Sequence, residues 1–230
     1  MKVTTDACLF GAWFAEQVRR LRIEVHSPVS RHVLDIGTGT GLLSLMLAQK
    51  NPELEIDAIE IDEETSLQAK TNFAKSPWKD RVQIINADVK NYPFTKKYDV
   101  VFSNPPFYEK ELKGERQKKN LALHDDGLRL PALLDIIKRN LASDGTYYLL
   151  LPYKRNEEVK KLLNSNGLNV QQIIFARPSI HHEYFRMMIS GKRISTGPIE
   201  TTIEEISIMD GNNVYTDAFI LLLKDYYLHL

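Results

Sequence analysis

The sequence predicts an α/β fold in which the strands of a parallel sheet alternate with helices. From Arg31 onwards, short runs rich in β-branched residues alternate with longer amphipathic stretches, a pattern typical of doubly wound sheets. Hydrophobic residues make up 43% of the 230 residues, enough for a continuous core, and no long Pro, Gly or Ser linker divides the chain. We therefore expect one domain that spans residues 1–230.

The predicted elements follow one another along the chain. Segment 1–30 provides an N-terminal helix at Asp6–Glu24, and we expect Cys8 and Trp13 to pack this helix against the core. Seven strands are predicted, at Val33–Ile36, Glu55–Glu60, Val82–Asn86, Tyr98–Phe102, Gly145–Leu151, Val170–Phe175 and Phe185–Ile189. Helices are predicted between them at Leu42–Gln49, Glu63–Lys75, Gly127–Asn140 and Asn156–Asn166.

One connection is much longer than the others. Residues 108–126, which we call the insert, separate the strand that ends at Phe102 from the helix that begins near Gly127. Connections of this length at the carboxyl edge of a parallel sheet are usually functional. We therefore expect the insert to lie near an active site.

The charge is balanced overall but uneven along the chain. Thirty basic residues match thirty acidic ones, which excludes the bulk attraction to polyanions seen in strongly basic proteins. Two local basic clusters are expected to flank the cleft and to contact RNA, unless they are ordinary solvated faces. The first consists of Lys113, Arg116, Lys118 and Lys119, and the second of Arg177, Arg186, Lys192 and Arg193. Residues 199–211 are acidic.

Several classes of protein are excluded by what the sequence lacks. No apolar run approaches the roughly 18–20 residues that span a bilayer, and the amino terminus does not resemble a signal peptide. A single cysteine, Cys8, cannot form an internal disulfide, which agrees with a reducing compartment. His181, His182 and Glu183 are adjacent and have no convergent spacing, so no metal site is predicted. We expect a cytoplasmic protein with no membrane contact.

A glycine-rich motif follows the first predicted strand. It reads Asp35-Ile36-Gly37-Thr38-Gly39-Thr40-Gly41, and such glycines let backbone turn tightly and approach a nucleotide-like ligand. The spacing differs from the dinucleotide fingerprint, and no phosphate-binding loop is present. Asp35 could hold a cationic or hydroxyl-bearing group, and Glu60, at the end of the second strand, could accept hydrogen bonds from ribose hydroxyls. A purely structural turn is the alternative.

Two further motifs end the third and fourth strands. Asp88 could accept a hydrogen bond from an adenine amine with Val89 against the ring, although a helix-capping role is equally compatible. Asn104-Pro105-Pro106-Phe107 closes the fourth strand, and its prolines fix the backbone and remove two donors. The Asn104 side-chain oxygen and the Pro105 carbonyl can then accept both protons of a planar amine, with an aromatic face at Phe107.

Together these motifs resemble the signature of class I S-adenosylmethionine-dependent methyltransferases that methylate planar amino nitrogens. More narrowly, four further parts of the chain resemble the bacterial valine-tRNA adenine-N6 methyltransferases, which modify the adenine 3′ of the anticodon. These parts are residues 1–13, the Leu123-His124 and Arg177-Pro178-Ser179 segments, and the C-terminal residues 215–228. The resemblance implies a single Rossmann-like methyltransferase sheet of seven strands, the last antiparallel, and a tRNA partner. Members of that family carry further residues before the segment that begins here at Met1.

The resemblance also implies a role for each motif residue. The implied cofactor-binding residues, for S-adenosyl-L-methionine and its product S-adenosyl-L-homocysteine, are Asp35, Gly37, Thr38, Gly39, Gly41, Glu60, Ile61, Asp88, Val89 and Asn104. The implied catalytic residues are Asn104, Pro105, Pro106 and Phe107. We expect a monomeric enzyme that methylates adenine N6 in tRNA. Alternatives are methylation of a protein glutamine amide, of guanine N2 in rRNA or of adenine in DNA, and a non-catalytic RNA-binding module.

Overall fold

A computed structural model describes residues 3–25, 31–106, 128–194 and 200–229. Its strands, numbered along the chain, are β1 (Arg31–Ile36), β2 (Leu54–Glu60), β3 (Val82–Asn86), β4 (Tyr98–Ser103), β5 (Leu141–Pro152), β6 (Leu168–Ser179), β7 (Arg186–Arg193) and β8 (Thr202–Met209). Its helices are α1 (Thr5–Val25), α2 (Leu42–Lys50), α3 (Glu63–Ala74), α4 (Leu130–Asn140), α5 (Asn156–Ser165) and α6 (Asp217–Leu223).

The strands form one sheet in the order β3-β2-β1-β4-β5-β7-β6-β8. Strands β1 to β5 pair in parallel, as predicted for a doubly wound sheet. Strand β7 runs antiparallel to both of its neighbours, β5 and β6. This confirms the antiparallel orientation expected for the last of the predicted strands.

The number of strands predicted from the sequence, seven, was wrong, because β8 adds an eighth. Strand β8 pairs in parallel with β6 and forms an edge of the sheet. Its first four residues are exposed and only Ile206 and Ile208 are buried, so its sequence resembles an acidic solvated segment. The short helix α6 that follows was missed as well, and it buries only Phe219 and Leu223.

Helix α1 supplies the aromatic part of the core on one face of the sheet. The Phe14 ring lies 4.6 Å from that of Phe102 and 5.7 Å from that of Tyr148, and the Trp13 ring meets Tyr148 edge-on. Cys8 and Trp13 are buried, which confirms that they pack the N-terminal helix. Helices α2, α3 and α6 complete this layer, while α4 and α5 cover the opposite face. The helix is therefore part of the domain's core.

Parallel pairing brings the ends of four strands to one edge of the sheet. Ile36 at the end of β1 lies opposite Ile59 of β2 and Ser103 of β4, and Glu60 lies opposite Asn86 of β3. The residues that follow these strands are therefore neighbours, although they are far apart in the sequence. We call this the carboxyl edge.

Two sequence predictions lie outside the described residues. Phe107 and the whole insert fall between residues 106 and 128, so their placement stays a prediction. Among the residues that the structure describes, no helix has the length and apolar character needed to cross a membrane.

Candidate functional site

The glycine-rich motif forms the turn from β1 into α2 at the carboxyl edge. Gly37, Gly39 and Gly41 have φ values of 72°, 58° and 87°, in the left-handed region that favours glycine. The amides of Gly37 and Thr38 both donate to the carbonyl of Ile59, at 2.9 and 3.1 Å. The turn is thus fixed to the end of the neighbouring strand β2.

Gly37 and Gly41 are required for different physical reasons. A Cβ on Gly37 would meet no atom within 4 Å, so the space beside this residue is open. A Cβ on Gly41 would lie 2.3 Å from the buried ring of Phe73 in α3. Gly37 therefore leaves room for a ligand, whereas Gly41 allows the turn to pack against a helix.

Glu60 holds the middle of the turn in place. Its Oε2 accepts a hydrogen bond from the Gly39 amide at 2.9 Å, and its Oε1 accepts one from the Asp62 amide at 3.0 Å. An ionised carboxylate offers about four acceptor positions. Glu60 can therefore shape the turn and still accept hydrogen bonds from a ligand.

Asp35 is a buried carboxyl group with one unused oxygen. Its Oδ2 accepts from the hydroxyls of Thr38, at 2.6 Å, and Ser44, at 2.7 Å, while its buried Oδ1 has no partner. Burial raises the pKa of Asp35 to about 7, against the lowering effect of those hydroxyls and with a smaller raising effect from the charge of Glu60. An unpaired buried oxygen is costly, so this atom is suited to a ligand donor.

Asp88, which follows β3, lies in a turn, and no helix begins there, so its contacts are not those of the helix cap that the sequence left open. Its carboxylate accepts from the Lys90 amide at 2.9 Å and from the Asn91 side chain at 3.1 Å. Nearby, the Asn86 side chain donates to the carbonyls of Glu60 and Ile61, which joins the ends of β2 and β3. Asp88 is therefore committed to a turn but remains at the same edge as Glu60.

Two apolar side chains lie beside this turn. Val89 packs against the core on the α4 side of the sheet, and Ile61 is 55% exposed although it is a large hydrophobic residue. An exposed isoleucine next to Glu60 provides an apolar surface at a polar edge. Such a surface is suited to the face of a flat ring.

The proline motif begins directly beside the glycine turn. The Ser103 hydroxyl donates to the carbonyl of Ile36 at 2.8 Å, which ties the end of β4 to the end of β1. Asn104 is half-buried, Pro105 is buried and Pro106 is exposed, and no cis peptide bond occurs among the described residues. Since Ser103 pairs with Ile36, Asn104 and Gly37 occupy adjacent positions at the carboxyl edge.

The structure adds residues that the sequence did not single out. Ser44 donates to Asp35, and the Asn72 side chain donates to the carbonyl of Thr40 at 2.9 Å. Ser44 is a fully buried polar residue in the otherwise apolar start of α2, and that isolated polarity was the available signal. Asn72 gives no such signal because its helix has a mixed surface.

The second basic cluster does not form one surface, so its prediction as a patch flanking the cleft was wrong. Arg177 and Arg186 lie at the carboxyl edge, but Lys192 and Arg193 lie at the other end of β7, about 20 Å away at a rise of about 3.3 Å per residue. Arg186 also forms an ion pair with Asp6 of α1 at 2.8 Å. The cluster divides because an antiparallel strand carries its two ends to opposite edges.

Comparisons with known proteins agree with this geometry. The family model described as "Methyltransferase small domain" matches residues 2–124. A tRNA1(Val) (adenine(37)-N6)-methyltransferase from Bacteroides thetaiotaomicron is 35% identical, over the whole of this chain and 92% of that protein. The protein of the same name from Proteus mirabilis is 33% identical, over the whole of this chain and 88% of its own length.

Solved structures share the fold at low sequence identity. A protein described as a predicted O-methyltransferase from Agrobacterium tumefaciens has a TM-score of 0.65 at 16% identity, covering 95% of both chains. The glycopeptide N-methyltransferase MtfA complexed with sinefungin has a TM-score of 0.53 at 13% identity, covering 79% of this chain and 87% of that one. These likenesses show a Rossmann-like methyltransferase fold.

The two glycines allow a matched test of the turn. We expect Gly41→Ala to lower the free energy of unfolding by about 2–5 kcal/mol, from left-handed strain and the collision with Phe73. Gly37→Ala should lower the free energy of unfolding by only about 1–2 kcal/mol, because it introduces left-handed strain but its Cβ meets open space. Urea unfolding of both variants measures the difference, and equal losses would contradict these assignments.

The carboxyl group of Asp35 should give an unusual pH dependence of stability. The folded protein keeps this proton up to about pH 7, whereas the unfolded chain loses it near pH 4. The folded state therefore binds more protons in that window, and the contribution of Asp35 to stability falls as pH rises, by on the order of 4 kcal/mol. To measure this contribution, the unfolding free energies of the wild type and of Asp35→Asn are compared between pH 4 and pH 8. A difference between the two proteins that does not change with pH would contradict the assignment.

Proposed function

Because the chain belongs to the methyltransferase small domain family, and within it to the tRNA1(Val) (adenine(37)-N6)-methyltransferases, we propose that it methylates N6 of adenine 37 in a valine tRNA. The methyl donor is S-adenosylmethionine. One observation carries the assignment of residues: the register that pairs Ile36 with Ser103 sets Gly37 of the glycine turn beside Asn104 of the proline motif. A methyl donor held by the glycine turn and an amine held by the proline motif would therefore meet.

The residues of the glycine turn fit this cofactor. The buried, unpaired Oδ1 of Asp35 can accept from the amino group of the methionine part, and open space beside Gly37 admits the ligand. Glu60, with Thr38, Gly39 and Gly41 shaping the turn around it, can accept from the ribose hydroxyls. Ile61 and Val89 offer apolar contacts to the adenine, and Asp88 can accept from its amine.

The acceptor amine is held by backbone and side-chain oxygens. We assign the Asn104 Oδ1 and the Pro105 carbonyl as the two acceptors for the N6 protons, with Pro106 fixing the backbone. S-adenosylmethionine supplies a methyl group on a sulfonium sulfur, which needs an aligned nucleophile more than a strong base. Asn104 and Pro105 provide that alignment because two hydrogen bonds fix the plane of the amine. Phe107, which lies outside the described residues, is proposed to stack on the target base.

A single chain holds every proposed site residue. The glycine turn, Glu60, Asp88 and Asn104 all lie at one edge of one sheet. We therefore propose that a monomer of one domain is catalytically complete. The basic residues of the insert, together with Arg177, are proposed to contact the tRNA.

The most direct test of the substrate class uses radiolabelled S-adenosylmethionine. The protein is incubated separately with bacterial tRNA, rRNA, DNA and total protein, and the label incorporated into each is counted. We expect incorporation into tRNA alone. Label in protein would instead support glutamine methylation, because a planar carboxamide fits the same two acceptors, and label in rRNA or DNA would redirect the proposal to those nucleic acids.

Substitutions should separate cofactor binding from methyl transfer. We expect Asn104→Ala to abolish turnover with the dissociation constant for S-adenosylmethionine nearly unchanged, since Asn104 is assigned chiefly to the acceptor. Glu60→Ala should weaken cofactor binding about ten- to a hundredfold, because it removes charge-assisted hydrogen bonds. Calorimetric titration measures the cofactor affinity of both variants, and the radiolabel assay measures their turnover.

Glu60→Gln is the matched control for that pair. It keeps the shape of the side chain but removes its charge, so its cofactor affinity should fall between those of the wild type and Glu60→Ala. An equally severe loss of cofactor in Asn104→Ala and Glu60→Ala would contradict the assigned roles.

The insert can be tested through the salt dependence of tRNA binding. Replacing Lys118 and Lys119 together with Ala should weaken binding and reduce the slope of log affinity against log salt by about 0.7–0.9 for each lost phosphate contact. Lys192→Ala, at the opposite edge of the sheet, should leave affinity and slope unchanged. The insert would be a solvated loop if the double variant behaved like the wild type.

A further inference from the structure

Aromatic side chains cluster at the carboxyl edge, one strand beyond the proposed acceptor site. Tyr153 follows β5, Tyr184 precedes β7 and Phe175 lies in β6. Ring centroids are 5.1 Å apart for Tyr153 and Phe175, 5.2 Å for Tyr153 and Tyr184, and 5.5 Å for Phe175 and Tyr184. All three side chains are half-buried, so each contributes both to packing and to the surface.

The backbone holds this aromatic cluster rigidly. The Tyr153 amide donates to the Phe185 carbonyl at 3.1 Å, and the Phe185 amide donates to the Ala176 carbonyl at 3.0 Å. These two hydrogen bonds extend the pairing of β5, β7 and β6 at the carboxyl edge. Phe175 also packs against the core beneath. The rings are therefore placed by the sheet and not by a loop alone.

Arg177 adds a planar cation beside these rings. Its guanidinium lies 5.5 Å from the centroid of Tyr184, and its Nε donates to the Ser207 hydroxyl at 2.8 Å. Glu205 lies 3.8 Å from the same guanidinium, and a hydrogen bond to Glu205 raises the pKa of Tyr184. The charge of Arg177 is therefore partly neutralised, and one face of its guanidinium lies against the Tyr184 ring.

The same edge carries further basic groups. Lys154 follows Tyr153 and is exposed, and His181 and His182 are exposed in the turn that follows β6. His182 contacts the Ser179 hydroxyl at 2.7 Å. Aromatic faces interleaved with cations are the chemistry that binds single-stranded nucleic acid.

The cluster lies within reach of nucleotides next to the target. Strand β4 pairs Ser103 with Leu149, and β5 continues for three residues beyond that pair before Tyr153. At about 3.3 Å per residue, Tyr153 stands about 10 Å further out than Asn104 along the strand direction. A loop whose adenine enters the acceptor site is therefore within reach of these rings.

We propose that Tyr153, Tyr184 and Arg177 form a stacking surface for unpaired bases that neighbour the target adenine in the tRNA loop. The inference rests on the proposed function, because the occupant is the loop that presents the target. Stacking on Tyr153 and Tyr184 supplies the main attraction, and Lys154 supplies a phosphate contact. Unpaired bases are the features of RNA that aromatic side chains recognise.

The test compares aromatic and aliphatic replacements at the two tyrosines. Tyr184→Leu and Tyr153→Leu keep apolar bulk but remove the ring, and we expect each to weaken binding of an anticodon stem-loop RNA by about 5- to 100-fold. Tyr184→Phe and Tyr153→Phe keep the ring and should bind within about twofold of the wild type. In turnover assays the leucine variants should raise KM for RNA with kcat and cofactor affinity nearly unchanged.

A spectroscopic readout separates stacking from folding. A stem-loop with 2-aminopurine beside the target adenine should lose fluorescence on binding to the wild type and to the phenylalanine variants, but much less on binding to the leucine variants. Thermal unfolding of each variant, measured alongside, identifies any loss caused by misfolding. Lys154→Ala should reduce the salt slope by about 0.7, whereas the tyrosine variants should not change it.

The outcomes distinguish this inference from the function on which it rests. If the wild type methylates tRNA and the folded leucine variants bind RNA with unchanged affinity and quenching, the stacking surface is wrong and the function stands. If the wild type neither binds nor methylates tRNA but modifies protein, the proposed function fails first. Weaker RNA binding in both the leucine and the phenylalanine variants would also overturn the inference, because the hydroxyls rather than the rings would be responsible.

Discussion

The hydrogen bond from the Gly39 amide to Glu60 is the interaction on which the site depends most. It joins the middle of the glycine turn, after β1, to the end of β2, and the bond from Asp62 holds the same carboxylate from the other side. With Ile59 accepting from Gly37 and Thr38, strand ends shape most of the turn, and Asn72 of α3 donates to the carbonyl of Thr40. These contacts are made within the protein, so they reduce the entropy that ligand binding must overcome.

Three parts of the sheet offer different side chains at the carboxyl edge. Strands β1 to β3 end in carboxylates and an open turn, which suit a cofactor with hydroxyl and amino groups. Strand β4 ends in Asn104 and the prolines, which suit a planar amine, and the strands beyond it end in aromatic and basic side chains. Following the edge of the sheet thus leads from the proposed cofactor site to the proposed acceptor site and then to the proposed stacking surface. Helix α1 stabilises the arrangement from below, since Phe14 packs on Phe102 just before the proline motif.

The local features of this protein were largely predictable from its sequence. The glycine spacing predicted the turn. Glu60 and Asn104 follow the pattern of strand ends, which predicted that they would lie at one edge of the sheet. Parallel topology then made them neighbours without any knowledge of their contacts. The family resemblance added the antiparallel strand β7, which the residue pattern alone did not require.

The remaining features depend on contacts between distant residues, so no local pattern revealed them. Strand β8 alternates weakly because only Ile206 and Ile208 are buried at an edge of the sheet. The sequence alone assigns Gly41 to the ligand, and only the structure shows that Phe73 packs against it. Arg177 and Arg193 belong to one stretch of sequence, yet β6 and β7 run in opposite directions and separate them. The division of the second basic cluster could therefore be recognised only from the strand pairing. The aromatic cluster could be recognised only from the same information.

The function proposed for this site is the transfer of a methyl group to N6 of one adenine in the tRNA loop. The most direct measurement incubates the protein with S-adenosylmethionine that carries a deuterated methyl group and with tRNA lacking this modification. Ribonuclease fragments are then analysed by mass spectrometry. We expect labelled N6-methyladenosine in the anticodon-loop fragment of a valine tRNA that contains adenine 37, the position named for the relatives. Label on another nucleobase atom, or in a fragment outside the anticodon loop, would contradict it.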